Sequence, residues 1–290
     1  MTQEENQPMI NKPYLETQLT VLERLKLLGQ RKSLRGARVF VTGASTGIGE
    51  QTAYHYARLG AQLVITARRE HVLHKVSEHC QVLGAQQARY LVLDMAEPQD
   101  AERAVGLAAD LLGGLDVVVL NHIGSSPFSM WDGDMPHLRW LMQVNFLSYV
   151  QMAKAALPLL EPSGGSLVVV SSLLAKMSSP FVAPYSSTKF ALNGFFGTLQ
   201  QELAMKNSNV SISIATLGLI DTDNAMEKVR DIVTIPAYPA SEAALALLKV
   251  GASRQAETYY PQHLHLLALV RDWAPSVRDW VMRSSYNYTP

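Results

Sequence analysis

Tyr185 and Lys189 stand four residues apart in the run Tyr185-Ser186-Ser187-Thr188-Lys189, and Ser172 lies thirteen residues upstream. On a helix, positions i and i+4 share a face, so this spacing brings a phenol and an ammonium together. A unit charge about 5 Å away at an effective dielectric of about 20 is worth roughly 3 kcal/mol, or about two pKa units. The expectation is a tyrosine drawn below its usual value near 10 and able to exchange protons close to neutral pH. A serine hydroxyl beside it would hydrogen-bond an oxygen that gains or loses charge. Such pairs also occur on solvated helix faces, so the chemistry requires a co-reactant site elsewhere in the chain.

That site is expected near residue 42. Ala37–Val41 is a short β-branched and aromatic run of the kind that forms a buried parallel strand, and Thr42-Gly43-Ala44-Ser45-Thr46-Gly47-Ile48-Gly49 follows it. The next residues read as a helix that stops at Gly60. Strand, glycine turn and helix are the context a dinucleotide site needs. Glycines at 43, 47 and 49 allow a tight turn and close approach of a pyrophosphate, whose charge meets the free N–H groups of the helix start. The next strand, Leu63–Thr66, leads into Ala67-Arg68-Arg69, two arginines and no acid at the strand's end. An acid there would accept from a free ribose 2′-hydroxyl, whereas arginine accommodates a 2′-phosphate. NADP(H) is therefore expected over NAD(H).

The pattern continues through Tyr90–Asp94, Leu115–Asn121, Ser166–Ser172 and Val210–Ala215, with helical segments between. Strands alternating with helices of ten or more residues imply an α/β fold: a single doubly wound, Rossmann-like parallel sheet with helices on both faces. A 290-residue chain buries a sizeable core, and no linker-like tract divides it. The expected organisation is an N-terminal extension over residues 1–35 and one catalytic domain over 36–290 that ends in a helical tail.

Taken together, TGxxxGxG at Thr42–Gly49, Asn121-His122-Ile123-Gly124, Asn145, Ser172, Tyr185 and Lys189 resemble the short-chain dehydrogenase/reductase family over roughly residues 36–260. Asn145–Val150, Val168–Leu173, Leu217–Thr222 and Ser284–Asn287 resemble its 11β-hydroxysteroid dehydrogenase branch. The resemblance implies that Tyr185 exchanges a proton with the substrate oxygen, that Lys189 lowers its pKa and binds the nicotinamide ribose, and that Ser172 holds the carbonyl or hydroxyl. Asn145 would hold a water linking Lys189 to solvent. It further implies cofactor contacts from Gly43, Ser45, Thr46, Gly47, Ile48, Gly49, Arg68, Arg69, Asp94, Met95, Asn121, His122, Ile123, Gly218, Leu219, Ile220 and Thr222, besides Tyr185 and Lys189. Where the family commonly has Asn-Asn-Ala-Gly, this chain has Asn-His-Ile-Gly, so the family role passes most directly to Asn121 and Gly124, and His122 reads as a satisfied, partly buried side chain. Leu217-Gly218 replaces the usual Pro-Gly, keeping the glycine and losing the fixed φ of proline.

The substrate side is less legible. Ser172, Tyr185, Leu217 and Met226 are the expected substrate contacts, and Thr222–Pro239 reads as a loop-helix lid. The implied substrate is a small apolar carbonyl or alcohol, foremost an 11-oxo or 11β-hydroxysteroid. Retinoid, lipid or xenobiotic carbonyls are alternatives, as is a non-catalytic dinucleotide sensor or scaffold. Balanced charge, 25 Lys+Arg against 25 Asp+Glu, gives no reason to expect nucleic acid. No metal site is expected. Cys80 is the single cysteine, which excludes an intrachain disulfide.

Residues 1–35 hold no run of ten apolar residues, so neither a transmembrane helix nor a signal peptide is expected there, and the composition alone points to the cytoplasm. The resemblance points instead to the endoplasmic reticulum or secretory pathway, and to a homodimer. Leu15, Leu19, Leu22, Leu25 and Leu28 are spaced as a short amphipathic helix. Leu264–Val270 is apolar, and Trp273 and Trp280 are expected on one helical face, a possible peripheral membrane contact.

Overall fold

The computed structural model describes residues 34–287 apart from Arg230. The amphipathic helix expected around Leu15–Leu28 lies outside these residues. Seven parallel strands form one sheet in the order β3-β2-β1-β4-β5-β6-β9. They are β1 Arg38–Thr42, β2 Gln62–Ala67, β3 Gln87–Val92, β4 Val117–Leu120, β5 Ser166–Ser172, β6 Ser211–Leu217 and β9 Glu257–Tyr260. A separate parallel pair, β7 Ile220–Asp221 with β8 Tyr238–Pro239, stands beyond the end of β6.

The helices are α1 Gly47–Arg58, α2 Glu70–Val82, α3 Pro98–Leu112, α4 Met135–Met142, α5 Ser148–Leu160, α6 Ala183–Met205, α7 Asp223–Val229, α8 Ala240–Ser253, α9 Leu264–Val270 and α10 Pro275–Ser284. Contacts pair α1 with α2 and α8 on one face of the sheet, and α3 with α5 on the other. The continuous apolar strands serve this sandwich directly. Phe40, Val118, Leu120, Leu167 and Val169 point into the cluster formed with α3 and α5, while the alternating Val39, Val41, Val119 and Val168 are equally buried on the opposite face.

Strand order reverses between β1 and β4, which opens a crevice at their C-terminal ends. Every expected site residue on a strand or just after one lies at that edge. The expected doubly wound α/β sheet is what forms, with a seventh strand that the apolar pattern did not announce. β9, Glu-Thr-Tyr-Tyr, pairs with β6 from Ile214↔Glu257 to Leu217↔Tyr260 and closes the sheet on that side.

Two local departures bear on function. Between α4 and α5 the helix widens into a π turn, Gln143–Leu147, that carries Asn145. Trp273 and Trp280 do not share a helix: α9 ends at Val270, Trp273 sits in the turn, and α10 restarts at Pro275, a residue suited to a first turn. No helix among the described residues is long and apolar enough to cross a membrane.

Candidate active site

The glycine turn is built by steric exclusion. Gly43 and Gly47 have φ of 63° and 61°, in the left-handed region. A Cβ at Gly49 would lie 2.3 Å from the Gly43 carbonyl oxygen, and one at Gly43 would lie 2.7 Å from the His122 Cα. A Cβ at Gly47 would meet Thr222 Cγ2 at 2.9 Å, so the lid segment already closes on the turn. Asn121 ties the end of β4 to it, donating from Nδ2 to the carbonyls of Thr42 at 3.1 Å and Gly43 at 3.2 Å.

These residues border a cleft of about 650 Å³. Gly43, Ser45, Thr46, Gly47, Ile48, Arg68, Arg69, Asp94, Met95, Asn121, His122, Ile123 and Thr222 all line it. Arg69 donates to Ser45 Oγ at 3.1 Å, setting a guanidinium beside the turn. Gly49 backs the turn from within α1 and does not line the cleft. Gly218 is packed: a Cβ there would reach Leu264 Cδ1 at 2.8 Å. Gly218, Leu219 and Ile220 lie outside the cleft's lining. Trp140, Asp221, Asp223 and Glu227 line it without having been expected. An acidic patch on a lid has no spacing rule that would reveal it, and Trp140 reads from sequence as ordinary helix packing.

Ser172, Tyr185 and Lys189 converge where β5 ends and α6 begins. Ser172 Oγ accepts from the Leu174 N–H at 3.2 Å and is near enough to the Tyr185 hydroxyl to lower its pKa. Lys189 is fully buried, and its Nζ donates to the Val170 carbonyl at 2.9 Å. It lies 5.7 Å from the Tyr185 ring centroid and 5.6 Å from that of Tyr149. The expected charge effect is corrected here. Burial pushes the Tyr185 phenol up to about 12, with the Ser172 hydrogen bond opposing that rise, and burial brings Lys189 down to about 7. An ammonium that is itself costly to keep charged and lies over the ring, 5.7 Å from its centroid, does not pull the phenol below its ordinary value.

Asn145 is fully buried on the π turn. Its Oδ1 accepts from the Gly124 N–H at 2.7 Å and its Nδ2 donates to Thr188 Oγ1 at 3.2 Å. The side chain thus clamps the β4 loop to α6. His122 is also corrected, from partly buried to buried: Nδ1 lies 2.8 Å from Thr42 Oγ1 and Nε2 lies 2.8 Å from Ser148 Oγ. Its ring is engaged on both sides, so it offers the cleft its backbone. Burial, reinforced by Lys189, pushes this imidazole down to about 3.

Of the expected substrate contacts, Leu217 is a buried residue of β6 in register with Ser172, and Met226 borders a smaller opening with Asp221, Asp223 and Glu227. Phe128, Phe181 and Tyr286 form an aromatic cluster, their ring centroids 5.5 to 6.0 Å apart. Tyr286 reaches there because the C-terminal segment pairs with the lid, Val233 bridging Tyr286 and Asn287 N–H donating to the Ile232 carbonyl at 2.8 Å.

Comparison with known proteins gives a consistent result. The family profile described as short chain dehydrogenase matches residues 37–233. A hydroxysteroid 11-beta-dehydrogenase 1-like protein of Danio rerio is 62% identical over 259 residues, covering 89% of this chain and 90% of the relative. A short chain dehydrogenase of Burkholderia cenocepacia, solved in complex with NADP, has a TM-score of 0.70 and 26% identity, covering 79% of this chain and 96% of that one. An alcohol dehydrogenase of Thermococcus sibiricus, complexed with 5-hydroxy-NADP, has a TM-score of 0.66 and 27% identity, covering 76% and 94%.

Proposed function

The chain belongs to the short-chain dehydrogenase family and is an oxidoreductase, and from that premise we propose that it uses NADP(H) to interconvert a ketone and a secondary alcohol on a steroid, with the 11-oxo/11β-hydroxy pair foremost. The observation that carries this reading is a glycine-turn cleft bordered by Arg68 and Arg69 together with Ser172, Tyr185 and the buried Lys189, which gather where β5 ends and α6 begins and lie outside the cleft's lining. The cleft fits a dinucleotide. Its turn leaves no room for a single added Cβ at Gly43 or Gly49, and the guanidinium of Arg69 beside Ser45 suits a 2′-phosphate.

When bound, NADP(H) supplies or accepts the hydride. The chain's own groups handle position and protons. Ser172 Oγ orients the substrate oxygen, and Tyr185, protonated at neutral pH, stands ready to donate to that oxygen as it gains negative charge. A phenol held high by burial favours the reductive direction as an acid. In the oxidative direction the phenol must first lose its proton, and Ser172, which acts to lower its pKa, eases that loss. Asn145 keeps the π turn locked against Gly124 and Thr188, which holds α6 and both catalytic side chains in register.

The steroid class rests on the name of the Danio rerio relative. The finer expectations are proposed with it. A homodimer is expected through the outer face of α6, which exposes Phe190 and Phe195. Peripheral contact with a membrane, such as that of the endoplasmic reticulum, is expected through α9 and α10.

The test is turnover of cortisone with NADPH, and of cortisol with NADP+, followed by nicotinamide absorbance. Reduction with NADPH at least tenfold faster than with NADH is expected. Tyr185→Phe should remove about 10²- to 10⁴-fold of the rate with NADPH binding retained. Absence of steroid turnover in both directions, with NADPH still bound, would overturn the steroid assignment; turnover that survives in Tyr185→Phe would overturn the role of the phenol.

A further inference from the structure

His122 sits at the centre of a hydrogen-bond chain that the reaction as described does not use. Ser148 Oγ donates to the Val144 carbonyl at 2.6 Å, so its oxygen is free to accept and His122 Nε2 must be the donor to it. Thr42 Oγ1 already accepts the N–H groups of Asn121 at 2.9 Å and His122 at 3.3 Å. Its one proton has two acceptors within reach, the Val119 carbonyl at 3.3 Å and His122 Nδ1 at 2.8 Å, and the shorter path is to Nδ1. A protonated ring would turn a third N–H toward that crowded oxygen. The arrangement therefore closes only for a neutral imidazole with its proton on Nε2. The backbone of the same residue is gripped as well, since the Tyr149 hydroxyl donates to the His122 carbonyl at 2.6 Å and the two rings lie 4.4 Å apart.

The groups joined by this chain come from three separate parts of the site. Thr42 is the last residue of β1 before the glycine turn, His122 leaves β4 along the cleft wall, and Ser148 and Val144 flank the junction of the π turn with α5. We propose that the His122 side chain is a positioning residue for the cofactor seat: a neutral imidazole, protonated at Nε2, that couples the glycine turn to the π turn and thereby fixes the Asn121–Gly124 wall. The ring never touches the cofactor. It acts through Thr42 on the turn and through Ser148 on the helix that carries Asn145 and Tyr149. The ionisable groups around it are Tyr149 from α5 and Lys189 from α6, and a neutral ring leaves Lys189 as the one cation of that cluster.

This proposal rests on reading the cleft as a dinucleotide seat, and its test separates the two. Glutamine carries one acceptor and one donor on a flat amide, as the neutral imidazole does, whereas phenylalanine carries neither. NADPH titrations by fluorescence should give His122→Gln a Kd within about threefold of wild type and His122→Phe a Kd weakened tenfold or more. In wild-type protein carrying ¹⁵N-histidine, His122 should show a pyrrole-type Nε2 and a pyridine-type Nδ1 at pH 7, a signature that packing alone does not set. If His122→Phe fails to fold, His122→Leu takes its place in the titration. The proposal is overturned if the spectrum shows the other tautomer or the cation, or if the apolar variant binds NADPH as wild type does. Wild-type protein that binds no NADPH at all sinks the dinucleotide reading, and the seat with it.

Discussion

Lys189 is an expensive side chain to keep charged in this fold. It is fully buried, with the Val170 carbonyl as its hydrogen-bond acceptor and the rings of Tyr149 and Tyr185 as its flanks. Burial brings its pKa from an ordinary value of 10.5 to about 7. The direction of the stability effect follows from proton binding in the two states. Below pH about 7 the lysine is charged both folded and unfolded, so the folded protein bears the whole cost of the buried ammonium. Between about 7 and 10.5 the folded form is neutral while the unfolded chain still holds the proton, and the cost fades as pH rises. Lys189→Met, which keeps the volume and discards the charge, should therefore raise the unfolding midpoint at pH 6 and raise it by clearly less at pH 9.5, while eliminating turnover. Thermal denaturation of both proteins at the two pH values measures this. An equal gain at both, or a loss at pH 6, would show that the ammonium is not buried at a cost. A buried ammonium held against the stability of its own fold suits the catalytic role proposed for Lys189.

At the scale of elements, the glycine turn decides whether the cleft exists. Gly49 lies in the first turn of α1 with the Gly43 carbonyl 2.3 Å from where a Cβ would stand, and both partners are backbone, so neither can yield without opening the turn. Gly49→Ala should cost about 1–3 kcal/mol of stability and weaken NADPH binding at least tenfold. Gly106→Ala is the matched control in α3. Nothing lies within 4 Å of its Cβ position, and exchange of a helical glycine for alanine should stabilise by up to about 1 kcal/mol with cofactor affinity unchanged. Denaturant unfolding and NADPH titration of the two variants test the contrast; equal effects would mean that the close approach at Gly49 is not what shapes the turn. The same turn was readable in the sequence because its glycines are required one by one. The six strands that begin from apolar runs were readable for a related reason, since a strand buried on both faces needs an unbroken hydrophobic stretch. β9 escaped because an edge strand needs apolar character on one side only, and Glu257-Thr258-Tyr259-Tyr260 supplies no continuous run. The π turn escaped because one extra residue per turn leaves the apolar pattern of Leu141, Val144 and Met152 intact. The turn's consequence, an Asn145 with both ends bonded, is a tertiary fact with no local trace.

At the scale of the whole molecule, a neutral, evenly charged chain carries one conspicuous asymmetry. The surface of α9 and α10 exposes Leu266, Leu269, Trp273, Val277 and Trp280, with Trp273 89% and Trp280 65% accessible. The sequence placed the two tryptophans on one helix, which would have made a simple amphipathic stripe. The break before Pro275 puts Trp273 on the turn instead. Isolated exposed apolar residues are ordinary, but five large ones within fifteen residues, across two short helices and their turn, are not. Tryptophan is also the residue best suited to a bilayer interface, where an apolar ring and a polar N–H are both satisfied. Arg271, Arg278 and Arg283 stand among them, the first two paired with Asp272 and Asp279, so the patch is close to neutral and should not require anionic lipid. Burying the two tryptophans at roughly 1.5 kcal/mol each contributes about 3 kcal/mol, which corresponds to about a hundredfold in partitioning. The protein should accordingly co-sediment with phosphatidylcholine vesicles and show a blue-shifted tryptophan emission when it does. Trp273→Ser combined with Trp280→Ser should lower vesicle partitioning by about two orders of magnitude and leave NADPH binding unchanged, because neither residue borders the cleft. Wild-type protein that stays in the supernatant would remove the membrane from the account. Sedimentation undiminished in the double variant would assign the contact to another surface.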